Sequence, residues 1–301
     1  MFRQNREIAG IPPETLFRFR REFLARTLGI GAGVVGVAGL SRPAMGQAVV
    51  NDAAILNFAL NLEYLEAEFY TYATTGSGIE AFGIGVNGQG TPGTTLVKPN
   101  PKVPFQSQAI LQYANEIADD ERTHVVFLRN ALAGSGFQPV ARPAIDLLNS
   151  FNAAASAAGL GASFDPFAND TAFLLGSYIF EDVGVTAYHG AAPLIKNKDI
   201  LGYAAGILGT EAYHAGLVRG LLFGAGQGAA TGAISSLRAS ASNAPDDYGV
   251  ASGPNGTSSI VLTDSNALVF ARTTTQVLNI VYLEGQGEGG FFPAGLNGAI
   301  R

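Results

Sequence analysis

Two of the three histidines in this chain stand three residues after a glutamate, in Glu121-Arg122-Thr123-His124 and Glu211-Ala212-Tyr213-His214. On a helix, residues i and i+3 share a face, so each motif offers one carboxylate and one imidazole to the same cation. With 13 Glu in 301 residues, a given histidine has a roughly 4% chance of such a neighbour, and a double occurrence is on the order of 1%. Both motifs lie in apolar stripes, Ala114, Ile117, Glu121, His124 and Leu128 in one and Ala204, Ile207, Glu211, His214 and Val218 in the other. Burying those charges unpaired is costly, and two divalent cations would compensate them.

Two further helices each offer a carboxylate. Glu63 is followed seven residues later by Tyr70, and Glu181 by Tyr188, so each glutamate has an aromatic hydroxyl two turns away on its own face. Tyr70 and Tyr188 are candidates for hydrogen-bonding the ligands or relaying an electron. Glu66, one turn after Glu63, is an alternative to it; Glu68 is expected to face solvent. His189 has no glutamate three residues before it, and a hydrogen-bonded role suits it better than ligation. Asp120, Asp182 and Asn115 are candidates for orienting the imidazoles. Glu63 and Glu121 are 58 residues apart and Glu181 and Glu211 are 30 apart. The difference matches the Gly/Pro-rich run 76–104, which suggests an internal pseudo-repeat.

The elements that must position these residues follow from apolar spacing and caps. Helices are predicted over about 52–75, 105–133, 170–195 and 200–223, with a fifth over about 265–283. The run 76–104 is too rich in Gly and Pro for a helix and is read as a surface excursion, with a short hairpin. Residues 134–169 are irregular, with a short helix near 145–155, and are long enough to cross a bundle end to end. The polar Gly/Ala/Ser stretch 224–264 is read as non-helical. Phe291-Phe292-Pro293 is expected to dock the tail on the bundle. Two antiparallel pairs joined by one long connection build a four-helix bundle.

Glu, Glu-x-x-His, Glu, Glu-x-x-His on four helices resembles the ligand set of the ferritin-like carboxylate-bridged dimetal proteins. The segments LEYLEAEFY, IFEDVGVTAYHGA, VLNIVY and GGFFPAGLNG resemble, more narrowly, the ferritin-like proteins related to plant desiccation-related proteins. The resemblance implies an all-α, ferritin-like four-helix bundle with one long crossover, an added C-terminal helix and long Gly/Pro-rich loops. It implies that Glu63 and Glu181 are terminal carboxylates, Glu121 and Glu211 bridging ones, and His124 and His214 the single imidazole on each metal. Iron and manganese both suit such ligands. The activity implied is that of a dimetal oxidoreductase acting on dioxygen or peroxide, catalase-like, peroxidase-like or ferroxidase-like, in oxidative or desiccation stress. The alternative is a non-catalytic envelope or stress-protection protein whose metals are structural. Storage of mineral in a closed shell fits less well, because 76–104 and 224–264 would obstruct edge-to-edge packing. A homo-oligomer and association with the envelope are compatible with either reading.

Composition narrows the classes. The chain is 47% hydrophobic and 14% charged, with 39 Gly, the make-up of a folded protein. No cysteine is present, which excludes thiolate metal sites, iron–sulfur clusters and disulfides. Seven of 18 basic residues fall in the first 48 positions; the remainder carries 11 basic and 21 acidic residues, a net of −10, which argues against nucleic acid as a partner. Residues 1–48 resemble a twin-arginine export signal. Arg20-Arg21-Glu22-Phe23-Leu24 precedes an apolar run of 13 residues, Leu28 to Leu40, well short of the roughly 20 that span a bilayer. Small residues before Ala48 suit processing after Gly46 or Ala48. The expected organisation is a leader at 1–48, the bundle at 49–225 and a C-terminal extension with one helix at 226–301. The expected location is the periplasm or envelope of a bacterium.

Overall fold

The computed structural model describes residues 51–301, so the twin-arginine leader lies outside the described residues. The site is carried by four long helices, each with a legible start. Helix α1 (Asp52–Thr75) is capped by Asn51, whose side chain accepts from the Ala54 N–H, and ends at Gly76 in the left-handed region. Ser107 caps α2 (Gln108–Gly134) in the same way. In the crossover lies the short α3 (Asn149–Ala157). Asn169 caps α4 (Asp170–Ala191), and Asn197 caps α5 (Lys198–Gly224). Helix α1 packs along α2, and α4 along α5. Helix α1 is buried on nearly every side, as its apolar composition requires. The all-α expectation holds.

The excursion 76–104 does not fold on itself as a hairpin. Its strand β1 (Thr95–Leu96) pairs in parallel with β2 (Ile145–Asp146) of the crossover, Thr95 opposite Ile145. The contact continues through Gln89 N–H to Pro139 O at 2.9 Å and Gly93 N–H to Arg142 O at 2.9 Å. Glycine makes this approach possible, since a Cβ on Gly93 would sit 2.1 Å from Ala144 N. The two irregular segments thus satisfy each other's backbone groups. They run along α1, touching it at Asn57, Tyr64, Glu68 and Ala73.

The extension after α5 carries two helices rather than the one expected, α6 (Gly228–Ser242) and α7 (Thr274–Val281). Gly, Ala and Ser obscure any apolar stripe in α6, and an ion-pair network stabilises it instead. Arg238 and Arg219 both donate to Asp182 Oδ2 at 2.8 Å, and Arg238 also reaches Asp247 Oδ1 at 2.9 Å. Arg272 joins Asp246 and Asp247 at 2.9 Å. Helix α7 is shorter than the expected 265–283. Its start is set by the Thr273–Gln276 capping box, and Asp264 holds a turn before it through the Asn266 and Leu268 N–H groups. The tail docks as expected, with the Phe291 ring 4.9 Å from Phe180 and 5.2 Å from Phe151. Asn297 then ties Thr91, Ala141 and Asn61 together. Among the described residues no helix is long and apolar enough to cross a membrane.

Candidate metal centre

Helices α1, α2, α4 and α5 bring all six expected ligands to one buried place. The Nδ1 atom of His124 lies 3.1 Å from Glu63 Oε2, 3.3 Å from Glu121 Oε2 and 3.6 Å from Glu211 Oε1. The Nδ1 atom of His214 lies 3.1 Å from Glu121 Oε1 and 3.5 Å from Glu181 Oε2. Two groups of ligand atoms result, Glu63, Glu121, His124 and Glu211 in one and Glu121, Glu181 and His214 in the other, all within 4.8 Å inside each group. Glu121 offers an oxygen to both. Glu211 joins only the His124 group.

The tyrosines are paired differently from the same-face expectation. Tyr70 on α1 donates to Glu181 Oε1 on α4, while Tyr188 on α4 donates to Glu63 Oε1 on α1. Residue 63 therefore lies across from 188 and residue 70 from 181, so α1 and α4 run antiparallel in a register that these two bonds read out. Each hydroxyl occupies the carboxylate oxygen that turns away from the imidazoles.

A family model for the ferritin-like domain matches residues 51–224. The chain belongs to the ferritin-like family. The chain of this ferritin-like protein is 33% identical over 177 residues to the desiccation-related protein PCC13-62 of Craterostigma plantagineum, a match covering 58% of this chain and 53% of that protein. It is 28% identical over 273 residues to the ferritin-like catalase Nec2 of Nesocodon mauritianus, covering 83% of this chain and 84% of the relative. No solved structure matches the chain.

In this ferritin-like protein burial and mutual charge shift the protonation of the cluster. Burial raises Glu63 to about 7, although His124 opposes the shift. Burial and the charge of Glu121 push Glu211 well above the usual carboxylate range. For His124, burial alone would lower the imidazole, but the charge of Glu63 and hydrogen bonds to Glu121 and Glu63 outweigh it and hold it at about 12. Burial likewise opposes the His214 shift, yet Glu181, Asp120 and Glu121 raise it. A cation bound here would compete with the protons that these shifts favour.

The residues fit a metal. Glu121 Oε1, Glu181 Oε2, both oxygens of Glu211 and Nδ1 of His214 are buried with no hydrogen-bond partner, and all four residues belong to the two ligand groups. Buried polar atoms are costly without a partner, and a bound ion is one that these ligand types would accept. Gly184 keeps the volume open, since a Cβ there would lie 2.2 Å from Glu211 Oε2. Gly184 was not among the expected site residues; the available signal was a glycine inside an apolar helix, three residues after Glu181 and on its face.

The surrounding residues sort themselves by partner. Asp120 Oδ2 is 3.2 Å from His214 Nε2, the carboxylate–imidazole arrangement that orients a metal-binding ring. Asp182 instead takes Arg219 and Arg238, and Asn115 donates to Leu111 O. Glu66 is buried beside the cluster but belongs to neither ligand group. Glu68 is not at the surface as expected: it is fully buried, because Arg142 of the crossover pairs with it. His189 Nδ1 lies 2.9 Å from Val269 O and fastens the segment before α7.

Proposed function

We propose that this ferritin-like protein is an exported dimetal oxidoreductase that disproportionates hydrogen peroxide, with two iron or manganese ions held by Glu63, Glu121, His124, Glu181, Glu211 and His214. The observation that carries the reading is Glu121, which presents one oxygen to each imidazole and so gives two ion positions a common ligand. When bound, such a metal pair supplies reversible redox chemistry in which one peroxide is reduced to water and a second is oxidised to dioxygen.

The chain's own residues shape that chemistry. Tyr70 and Tyr188 hold Glu181 Oε1 and Glu63 Oε1, which leaves the Oε2 atoms facing the imidazoles. Asp120 accepts from His214 Nε2–H and so keeps the Nδ1 lone pair available for a metal. Phe69, Phe173 and Phe180 surround the Tyr70 end and exclude water. The similarity to a protein named as a ferritin-like catalase supports peroxide as the substrate, and the leader motif at Arg20-Arg21 supports export by the twin-arginine route.

The test is metal analysis of the mature protein from its native compartment, followed by loading with Mn(II) or Fe(II) and simultaneous recording of peroxide and dioxygen. The expected result is two ions per chain and dioxygen evolved as peroxide disappears, with both lost in Glu121→Gln. No turnover with either metal would favour the reading in which metals only stabilise the fold.

A further inference from the structure

Two spaces that share lining residues lead from the surface to Glu66 and Gly184, the latter in contact with Glu211 of the metal centre. The larger, about 310 Å³, is walled by α3, α4, α6 and α7 and opens beside Leu160 and Glu284, both exposed. The smaller, about 20 Å³, is bounded by Leu62, Leu65, Val183, Gly184 and Glu66. Ile179, Ile280 and Phe291 line both, so these three side chains form the partition between them. At the inner end Gly184 packs directly against Glu211, since a Cβ there would lie 2.2 Å from one Glu211 oxygen and 3.5 Å from Glu66 Oε1.

The size and lining of the inner space select its occupant. A volume of about 20 Å³ holds one very small molecule, and water in such a place needs two to four polar partners. Glu66 is the one polar side chain lining that space. An apolar diatomic meets no such requirement, whereas peroxide would lose hydrogen bonds that this wall cannot replace.

We propose that the two spaces form an apolar passage for dioxygen between the metal centre and the surface, with Ile179, Ile280 and Phe291 as its constriction and Gly184 and Glu66 at its inner end. This rests on the metal-centre reading, in which dioxygen is the product that has to leave. The wall separates that product from the polar substrate, which is excluded from the same path.

Xenon is a suitable probe, because it enters dry apolar cavities. Crystals of the metal-free and the metal-loaded protein would be pressurised with xenon. The expected result is xenon in both spaces of both forms, and in Ile280→Trp loss of the inner site with unchanged metal content. In the Fe(II)-loaded Ile280→Trp protein, oxidation by dissolved dioxygen should slow several-fold; Ile179→Phe should do the same if the tryptophan variant does not fold. An empty inner space in the wild type would overturn the passage, as would an unchanged oxidation rate once the inner xenon site is gone. Xenon in the inner space of a protein without peroxide activity would support the passage while removing the proposed reaction.

Discussion

Asp120 and Thr210 occupy equivalent positions, each immediately before the glutamate of a Glu-x-x-His motif, yet only one reaches an imidazole. Asp120 lies 3.2 Å from His214 Nε2, while the Thr210 hydroxyl donates back to Gly206 O within its own helix. The pseudo-repeat is therefore broken just outside the ligands, and the two proposed metal positions should differ in affinity. Asp120→Ala is expected to weaken binding at the His214 position by about 10–100-fold and to leave the His124 position close to its original strength. Competition titration with a chelator would then resolve two phases where the wild type shows a narrower spread; equal weakening of both would show that Asp120 acts on the fold as a whole. The Glu-x-x-His pairs were legible because their spacing is local. Asp120 could not be separated from Asp182 in the sequence, because the imidazole it orients belongs to another helix.

At the scale of elements, the four long helices were legible from apolar spacing, while the structure set their starts at the caps Asn51, Ser107, Asn169 and Asn197. Helix α6 was not, since Gly228–Ser242 is dominated by small residues whose pattern matches a loop as well as a helix. Its anchor is electrostatic, with Arg238 buried against Asp182 and Asp247. Removing the cation while keeping the stem, in Arg238→Met, leaves each of those buried carboxylates with one cation instead of two, Asp182 with Arg219 and Asp247 with Arg272. The expected cost is about 3–5 kcal/mol, read as a lower urea midpoint. A change near zero would mean that Arg219 and Arg272 alone satisfy the network. The parallel pairing of β1 with β2 was equally hidden, because a two-residue strand carries no alternation to read.

For the whole molecule, the metal-free state should lose stability as pH rises. Glu63 is ordinarily near 4.5 and is held at about 7 in the fold, so between those values the folded chain keeps a proton that the unfolded chain has released. His124 does the same from 6.5 up to about 12. Both contributions are complete at low pH and decline upward, which gives a falling melting temperature for chelator-treated protein from pH 5 to pH 8. Metal competes with those protons and binds better at high pH, so the loaded protein should show the opposite slope. Calorimetry of both forms would check this, and a flat metal-free profile would contradict it.

What the amino-acid sequence determined by itself was the candidate ligand set and the helical frame, because i, i+3 spacing and apolar stripes are properties of neighbouring residues. The tertiary structure alone decided which partner each group meets. It crossed the tyrosines between α1 and α4, left Glu66 outside both ligand groups, buried Glu68 under Arg142 and set Gly184 against Glu211. Each of these depends on the register between segments far apart in the chain, which follows from how whole surfaces pack.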